Sequence, residues 1–182
     1  PGSLAMGLRV PARVVLGIAP WNAPVILGVR AIATPLACGN TVILKGSENC
    51  PRTHALIIEA FADAGFPPGV VNYITNAPAD AGAVVDAMVA HPAVRRVNFT
   101  GSTRVGRIIA MTCARHLKPV VLELGGKAPL VILDDADIDD AVNAAAFGCF
   151  ANSGQICMST ERLIVDQTIA DEFVKKFADK AT

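Results

Sequence analysis

Three side chains in this sequence could together do carbonyl chemistry. Cys157, in Asn152-Ser-Gly-Gln-Ile-Cys157, follows a glycine-containing turn that could aim its backbone N–H into a cleft. A thiolate attacks carbonyl carbon well, and a thiol is partly ionised near neutrality even before any tuning. Glu123 sits in Leu122-Glu-Leu-Gly-Gly126, at the end of an apolar run, where loss of water would favour its use as a proton acceptor. Asn22, in Pro20-Trp-Asn-Ala-Pro24, carries an amide able to donate to a developing oxyanion. Each has a plainer alternative. A free cysteine is often an inert core residue, a strand-end glutamate can simply reach water, and an Asn can cap the helix that follows it.

Two further motifs suit a nucleotide. Phe99-Thr-Gly-Ser-Thr-Arg-Val-Gly106 reads as a strand, a glycine turn and a helix start, so Gly101 and Ser102 could offer donors to a pyrophosphate at the helix's positive end. It is not G-x-G-x-x-G, and a turn with an N-cap explains it equally well. In Ile43-Leu-Lys-Gly-Ser-Glu48 the carboxylate follows a strand, where acidic residues commonly accept from ribose hydroxyls. The alternative there is an exposed charge pair with Lys45.

The elements that must position these residues alternate. Strands are predicted over Arg13–Ala19, Thr41–Lys45, Val70–Thr75, Arg95–Thr100, Pro119–Leu124, Pro129–Leu133 and Arg162–Val165. Helices are predicted over Pro24–Leu36, Pro51–Ala64, Ala79–Ala90 and Thr103–Arg115, from Asp137, and from near Thr168. The second helix has Leu56, Ile57, Ala60, Phe61 and Ala64 on one face, with Gly65 placed to end it. Continuous rather than period-two apolar strands imply a parallel sheet covered on both faces. Gly125-Gly126 marks the expected domain boundary, giving domains over 1–124 and 125–182.

Composition narrows the partners. The 182 residues are 52% hydrophobic and 18% charged, and 16 basic residues balance 16 acidic ones, so a globular chain is expected. No basic run supports a nucleic acid or an anionic membrane surface. The most apolar stretch, Ala31 to Leu44, is broken by Pro35, Gly39 and Asn40, so no membrane span is expected. Five cysteines without C-x-x-C argue against a disulfide framework or a metal site and for a reducing cytoplasm, with one working thiol and the others buried.

Taken together, P-W-N-x-P, L-K-x-S-E, G-x-P-P-G-V-V-N from Gly65 to Asn72, F-T-G-S-T-x-x-G, L-E-L-G-G-K and G-Q-x-C resemble the aldehyde dehydrogenase superfamily, in one order and at its spacings. The resemblance covers essentially the whole chain. Gly17 to Asn40, Arg95-Arg-Val-Asn-Phe and Cys157-Met-Ser-Thr-Glu-Arg are similar to bacterial salicylaldehyde dehydrogenases and related aromatic-aldehyde enzymes. The implied fold is a Rossmann-like parallel sheet flanked by helices, followed by the start of a second α/β domain. The implied chain is an internal fragment, lacking an N-terminal segment, the oligomerisation arm and the downstream glutamate that holds the nicotinamide ribose. The full-length enzyme would be a homodimer or homotetramer.

The resemblance also implies roles. Cys157 would form a thiohemiacetal and then a thioester, Asn22 and the Cys157 N–H would hold the oxyanion, and Glu123 would activate water. NAD would contact Ile18, Ala19, Pro20, Trp21, Lys45, Ser47, Glu48, Gly82, Phe99, Thr100, Gly101, Ser102, Val105, Leu124 and Gly125. Glu48 would repel a 2′-phosphate and so favour NAD over NADP. Where the family more often has Lys-Pro-Ser-Glu, this chain has Gly46, which leaves that loop less rigid. The aldehyde would meet Ala23, Leu27, Arg30, Ile156 and Met158. Ala23 would leave room for a ring, and Arg30 would either hydrogen-bond a ring hydroxyl or snorkel to the surface. Competing readings are an aldehyde dehydrogenase of aliphatic or semialdehyde specificity, a CoA-acylating relative, and a non-catalytic protein on the same scaffold.

Overall fold

Val, Ile and Leu runs make the strands of a computed structural model that describes residues 2–182. Contacts divide the chain into two units, one running to Leu124 and one from Gly125 to Thr182. In the first unit the elements alternate as β1 (Val14–Ile18), α1 (Pro24–Ala37), β2 (Thr41–Lys45), α2 (Pro51–Asp63), β3 (Val71–Ile74), α3 (Ala81–Ala90), β4 (Val94–Gly101), α4 (Thr103–Arg115) and β5 (Val120–Leu124). A 3-10 turn over Pro78–Asp80 leads into α3, so the α-helix proper starts two residues later than the sequence pattern suggests. Gly65, at φ 83°, ends α2 in the left-handed conformation that glycine adopts without strain.

The five strands are ordered β3-β2-β1-β4-β5, and every pair is parallel. Alternate residues of β1 feed two cores. Val15 packs with Ala31 and Ile32 of α1 and Ile57 of α2. Leu16 and Ile18 pack with Val89 of α3 and with Ile109 and Cys113 of α4. The sheet is therefore doubly wound. The chain builds outward from β1 to β3, then returns to add β4 and β5 on the other side, so neighbouring connections diverge at the carboxyl ends of β1 and β4. Open α/β sheets bind ligands at such a reversal.

Two expectations need correction. Full burial on both faces holds for the central β1, but β5 alternates, with Val121 57% exposed. The buried face of α2 is His54, Ile57, Ile58 and Phe61, whereas Leu56, Ala60 and Ala64 are exposed. A polar residue, His54, sets the register of that face, which hydrophobicity alone does not reveal.

The second unit pairs β6 (Ala128–Ile132) in parallel with β7 (Thr160–Val165). These strands pack with α5 (Ile138–Phe150) and α6 (Ala170–Ala181) around Ile132, Val142, Ala145 and Phe173. Asp137 caps α5 by accepting from the Asp140 N–H at 3.0 Å, and Asp139 and Asp140 fill the first turn where the helix dipole favours anions. The helix expected near Thr168 starts at Ala170, and Thr168 lies in the turn before it. The Thr168 N–H and hydroxyl both donate to Asp166 Oδ1, at 2.9 and 2.7 Å, making that turn.

Candidate active site

At the reversal between β1 and β4 lies a cavity of about 600 Å³, within the usual range for small-molecule sites of roughly 300–1,000 Å³. It is lined by Ile18, Ala19, Pro20 and Trp21 after β1, by Lys45, Ser47 and Glu48 after β2, by Gly82 on α3, and by Phe99, Thr100, Gly101, Ser102 and Val105 around the β4–α4 turn. Those are the residues assigned above to a dinucleotide, apart from Leu124 and Gly125. Leu124 instead packs into the notch of Gly106, where a Cβ would come within 2.6 Å of it, and a Cβ on Gly125 would meet open space. Motif reading missed Asp86 and Arg104 on the same walls. Arg104 follows Thr103 at the start of α4, and its place inside the F-T-G-S-T-R run was the available signal.

The loop after β2 is held by buried polar groups. Lys45 is only 5% exposed, so the pair it makes with Glu48 is not the exposed charge pair of the alternative reading. Asn76 Nδ2 donates to the same carboxylate oxygen at 3.1 Å. Burial opposes the Glu48 charge, but the hydrogen bonds from Lys45, its own backbone and Asn76, with the Lys45 ammonium, hold the carboxyl below its ordinary range. Ser47, also 5% exposed, donates its N–H to His54 Nδ1 at 3.1 Å. Gly46 admits no side chain, because a Cβ would lie 2.7 Å from the Tyr73 hydroxyl and 3.1 Å from His54 Nδ1. The loop is thus fixed by its neighbours rather than by a proline.

At the β4–α4 turn the Ser102 hydroxyl accepts from the Val105 N–H at 3.3 Å, so the N-cap alternative describes that oxygen. Gly101 lines the cavity and is packed against the Phe99 ring, which a Cβ there would approach to 2.5 Å.

A second cavity of the first unit, about 590 Å³, has Arg30, Thr34, Cys38, Asn98, Val121 and Glu123 among its walls. Arg30 Nη2 lies 3.4 Å from Glu123 Oε2, and both side chains are half exposed. Within this unit Glu123 therefore lacks the desolvation expected from its strand-end position. Arg30 neither snorkels away nor stands alone, because it faces the carboxylate. On the same face of α1, Leu27 is buried and Ala23 half-buried. Asn22 is half-buried, and the N-cap of α1 is Ala23, one residue beyond the expected Asn22 cap.

In the second unit Cys157 is exposed, flanked by half-buried Ile156 and by Met158 at 79% exposed. Three consecutive left-handed residues precede it: Asn152 (φ 52°), Ser153 (φ 58°) and Gly154 (φ 71°). Such a run costs a non-glycine chain energy and marks a constrained turn. The backbone then turns tightly, the Ser159 N–H donating to Ile156 O at 3.0 Å. All five cysteines are free thiols, but the expectation that the other four are buried is wrong. Only Cys113 is buried; Cys50 and Cys149 are half-buried and Cys38 is exposed, each near an element end where small side chains meet solvent. Among the described residues no helix is long and apolar enough to cross a membrane, and no cluster of three His, Cys, Asp or Glu side chains could hold a metal.

Comparison with known proteins gives consistent relatives. Vanillin dehydrogenase of Pseudomonas fluorescens is 67% identical over 180 residues, which is 99% of this chain and 37% of that protein. The crystal structure of a salicylaldehyde dehydrogenase from Pseudomonas putida, complexed with salicylaldehyde, superposes with a TM-score of 0.92 at 57% identity, over 93% of this chain and 35% of that one. A betaine aldehyde dehydrogenase from Staphylococcus aureus, solved in complex with NAD+, gives a TM-score of 0.88 at 37% identity, over 93% and 33%. The chain spans just over a third of the length of such relatives. Residues 1–182 match the aldehyde dehydrogenase family throughout, and the chain belongs to that family.

Proposed function

We propose that residues 1–124 are the dinucleotide-binding domain, and residues 125–182 the nucleophile-bearing start of the catalytic domain, of an NAD+-dependent dehydrogenase that oxidises aromatic aldehydes to carboxylic acids. The observation that carries this is the cavity at the β1–β4 reversal, which gathers the Trp21, Lys45–Glu48 and Gly101–Ser102 segments on one site. Its groups suit a dinucleotide. The buried Lys45–Glu48 pair would hold the adenosine ribose, and the turn at Gly101 with the first turn of α4 would receive the pyrophosphate. An aromatic substrate is supported by the relatives named for vanillin and salicylaldehyde.

Cys157 Sγ adds to the aldehyde carbon, and Asn22 with the Cys157 N–H donates to the oxygen that becomes negative. Bound NAD+ supplies the acceptor for the hydride that leaves this carbon. Glu123 takes a proton from the water that cleaves the resulting Cys157 thioester, which releases the acid and restores the thiol. Arg30, already beside Glu123, offers donors to a ring hydroxyl or phenolate. With Glu48 on the adenosine ribose, a 2′-phosphate would bring a second negative charge beside it, so NAD+ would be favoured over NADP+.

The test is direct. The full protein, mixed with NAD+ and salicylaldehyde or vanillin, produces NADH absorbance, and Cys157→Ala abolishes it. No NADH with any aromatic aldehyde, or full turnover by the variant, defeats the reading; equal kcat/KM with NAD+ and NADP+ defeats the cofactor preference.

A further inference from the structure

His54 takes no part in the chemistry above, yet it is completely buried, 0% exposed, near the start of α2. Its Nδ1 accepts from the Ser47 N–H at 3.1 Å, with Cys50 Sγ at 3.9 Å from the same nitrogen. An imidazole that accepts at Nδ1 is neutral and carries its proton on Nε2. Nε2 is buried and closes no hydrogen bond, while the Pro24 backbone at the start of α1 bears on the ring and favours its charged form. The ring has no slack on either side. A Cβ on Gly28 would lie 3.0 Å from its Cδ2, and one on Gly46 would lie 3.1 Å from its Nδ1. The imidazole is a wedge between the helix that follows Asn22 and the loop that carries Lys45 and Glu48.

From this geometry we infer that His54 is a positioning residue of the dinucleotide site: by accepting from the Ser47 N–H it holds the Lys45–Glu48 loop in the shape that grips the cofactor, and protonation at Nδ1 releases that loop. The inference rests on reading the β1–β4 cavity as a dinucleotide site. A purely space-filling histidine would require only a side chain of similar volume, whereas this role requires an acceptor.

The surrounding groups leave His54 as the one that changes charge on the acid side of neutrality. Burial pushes the Cys50 thiol and the Tyr73 phenol up, while Glu48, paired with Lys45, is held below the ordinary carboxylate range. The α1 face contributes Gly28 and the Pro24 backbone, without a charged side chain against the ring. Burial, with the Lys45 charge, moves the imidazole itself below its ordinary value, against a smaller opposing pull from Pro24. The folded chain therefore prefers neutral His54. The stability this gives is present above the unfolded imidazole value, about 6.5, and is lost as pH falls below it.

Trp21 lines the cavity, so its fluorescence, taken as the difference from a Trp21→Phe protein, reads dinucleotide binding without turnover. NAD+ is titrated into the full protein from about pH 7.5 down to the lowest pH at which it stays folded, because burial places the His54 charge change below the usual imidazole range. Wild-type affinity is expected to fall roughly tenfold at the acid end, the scale of one lost hydrogen bond. His54→Leu binds roughly tenfold more weakly at every pH. His54→Asn, whose Oδ1 occupies the place of Nδ1 and cannot be protonated, keeps neutral-pH affinity and loses the pH dependence. A Leu variant that binds like wild type, an Asn variant as weak as Leu, or a wild-type profile that stays flat overturns the inference. The Ser47 amide resonance supplies a readout that needs neither variant nor cofactor, and it must move with the imidazole titration. If NAD+ binds at no pH while that amide follows His54, the cofactor reading fails and the loop contact stands. If NAD+ binds and the amide ignores the imidazole, the role of His54 fails alone.

Discussion

The loop from Lys45 to Glu48 and the loop from Asn152 to Cys157 both carry side chains suited to chemistry, but only the first buries them. Lys45 and Ser47 are each 5% exposed and are tied to Glu48 and His54, while Asn76 secures the same carboxylate from beyond β3. Cys157 is exposed, and what shapes its loop is backbone: three left-handed residues in a row and a tight turn through Ile156. The difference fits the two roles proposed for these loops. Gripping a ligand needs donors and acceptors fixed in advance, and buried polar pairing does that. A nucleophile needs access, so its precision has to come from the main chain and its sulfur has to stay open. Substitutions in the first loop should move affinity, and those in the second should move chemistry.

The sharpest way to break that contrast is Cys157→Ala. Turnover of the full enzyme should drop by roughly a thousandfold or more, as for other covalent nucleophiles, while Trp21 fluorescence still reports NAD+ binding at the wild-type Kd. A large loss of NAD+ affinity would show that the two loops are not independent.

The converse comes next. Lys45→Met removes the partner of a carboxylate held inside the cavity wall, and Glu48→Gln removes the charge that would oppose a 2′-phosphate. Losing a hydrogen bond to a charged group is worth about 1.5–3 kcal/mol, so NAD+ affinity should weaken by roughly 10- to 150-fold in Lys45→Met, with kcat at saturating cofactor little changed. Glu48→Gln should narrow the gap between NAD+ and NADP+. Steady-state kinetics with both cofactors would check each, and a selective collapse of kcat in either variant would place Lys45 or Glu48 in the chemistry instead.

The same two loops show what the sequence made legible. Apolar runs and glycine or proline punctuation located β2 (Thr41–Lys45) and α4 (Thr103–Arg115) to the residue, because their boundaries are set by local chemistry. Spacing of short motifs grouped the residues of the β1–β4 cavity. Pairings made through space were hidden. Nothing local says that His54 inserts between α1 and the Lys45 loop, or that Arg30 lies against Glu123. Nor does the motif show that the Leu124 side chain fills the notch of Gly106 on α4. The left-handed run at 152–154 was legible only at Gly154, since Asn and Ser give weaker signals for that conformation.

Gly154→Ala sharpens the account of the second loop. At φ 71° an added Cβ is strained, and it would also lie 3.0 Å from Cys149 O. The expected cost is about 1–2 kcal/mol, read as a lower melting temperature, together with reduced turnover because the path into Cys157 is displaced. Asn152→Gly should instead be tolerated, since glycine adopts φ 52° freely. Equal tolerance of both changes would mean that backbone shape does not set this loop.

The smallest effect on stability, and the finest test of the contrast, is Arg30→Met. The Arg30–Glu123 pair spans 3.4 Å with both side chains half exposed, and solvent-screened pairs of this kind contribute about 0–1 kcal/mol. The melting temperature should therefore barely move. A guanidinium that faces Glu123, the proposed base, can still serve two claimants, that carboxylate and the oxygen of a hydroxylated ring, since it carries five donors in a fixed fork. If it serves the ring, Arg30→Met lowers kcat/KM for salicylaldehyde several-fold while leaving benzaldehyde nearly unchanged. If it serves only Glu123, both aldehydes slow together. An unaltered preference between the two removes Arg30 from substrate selection and leaves it as a neighbour of Glu123.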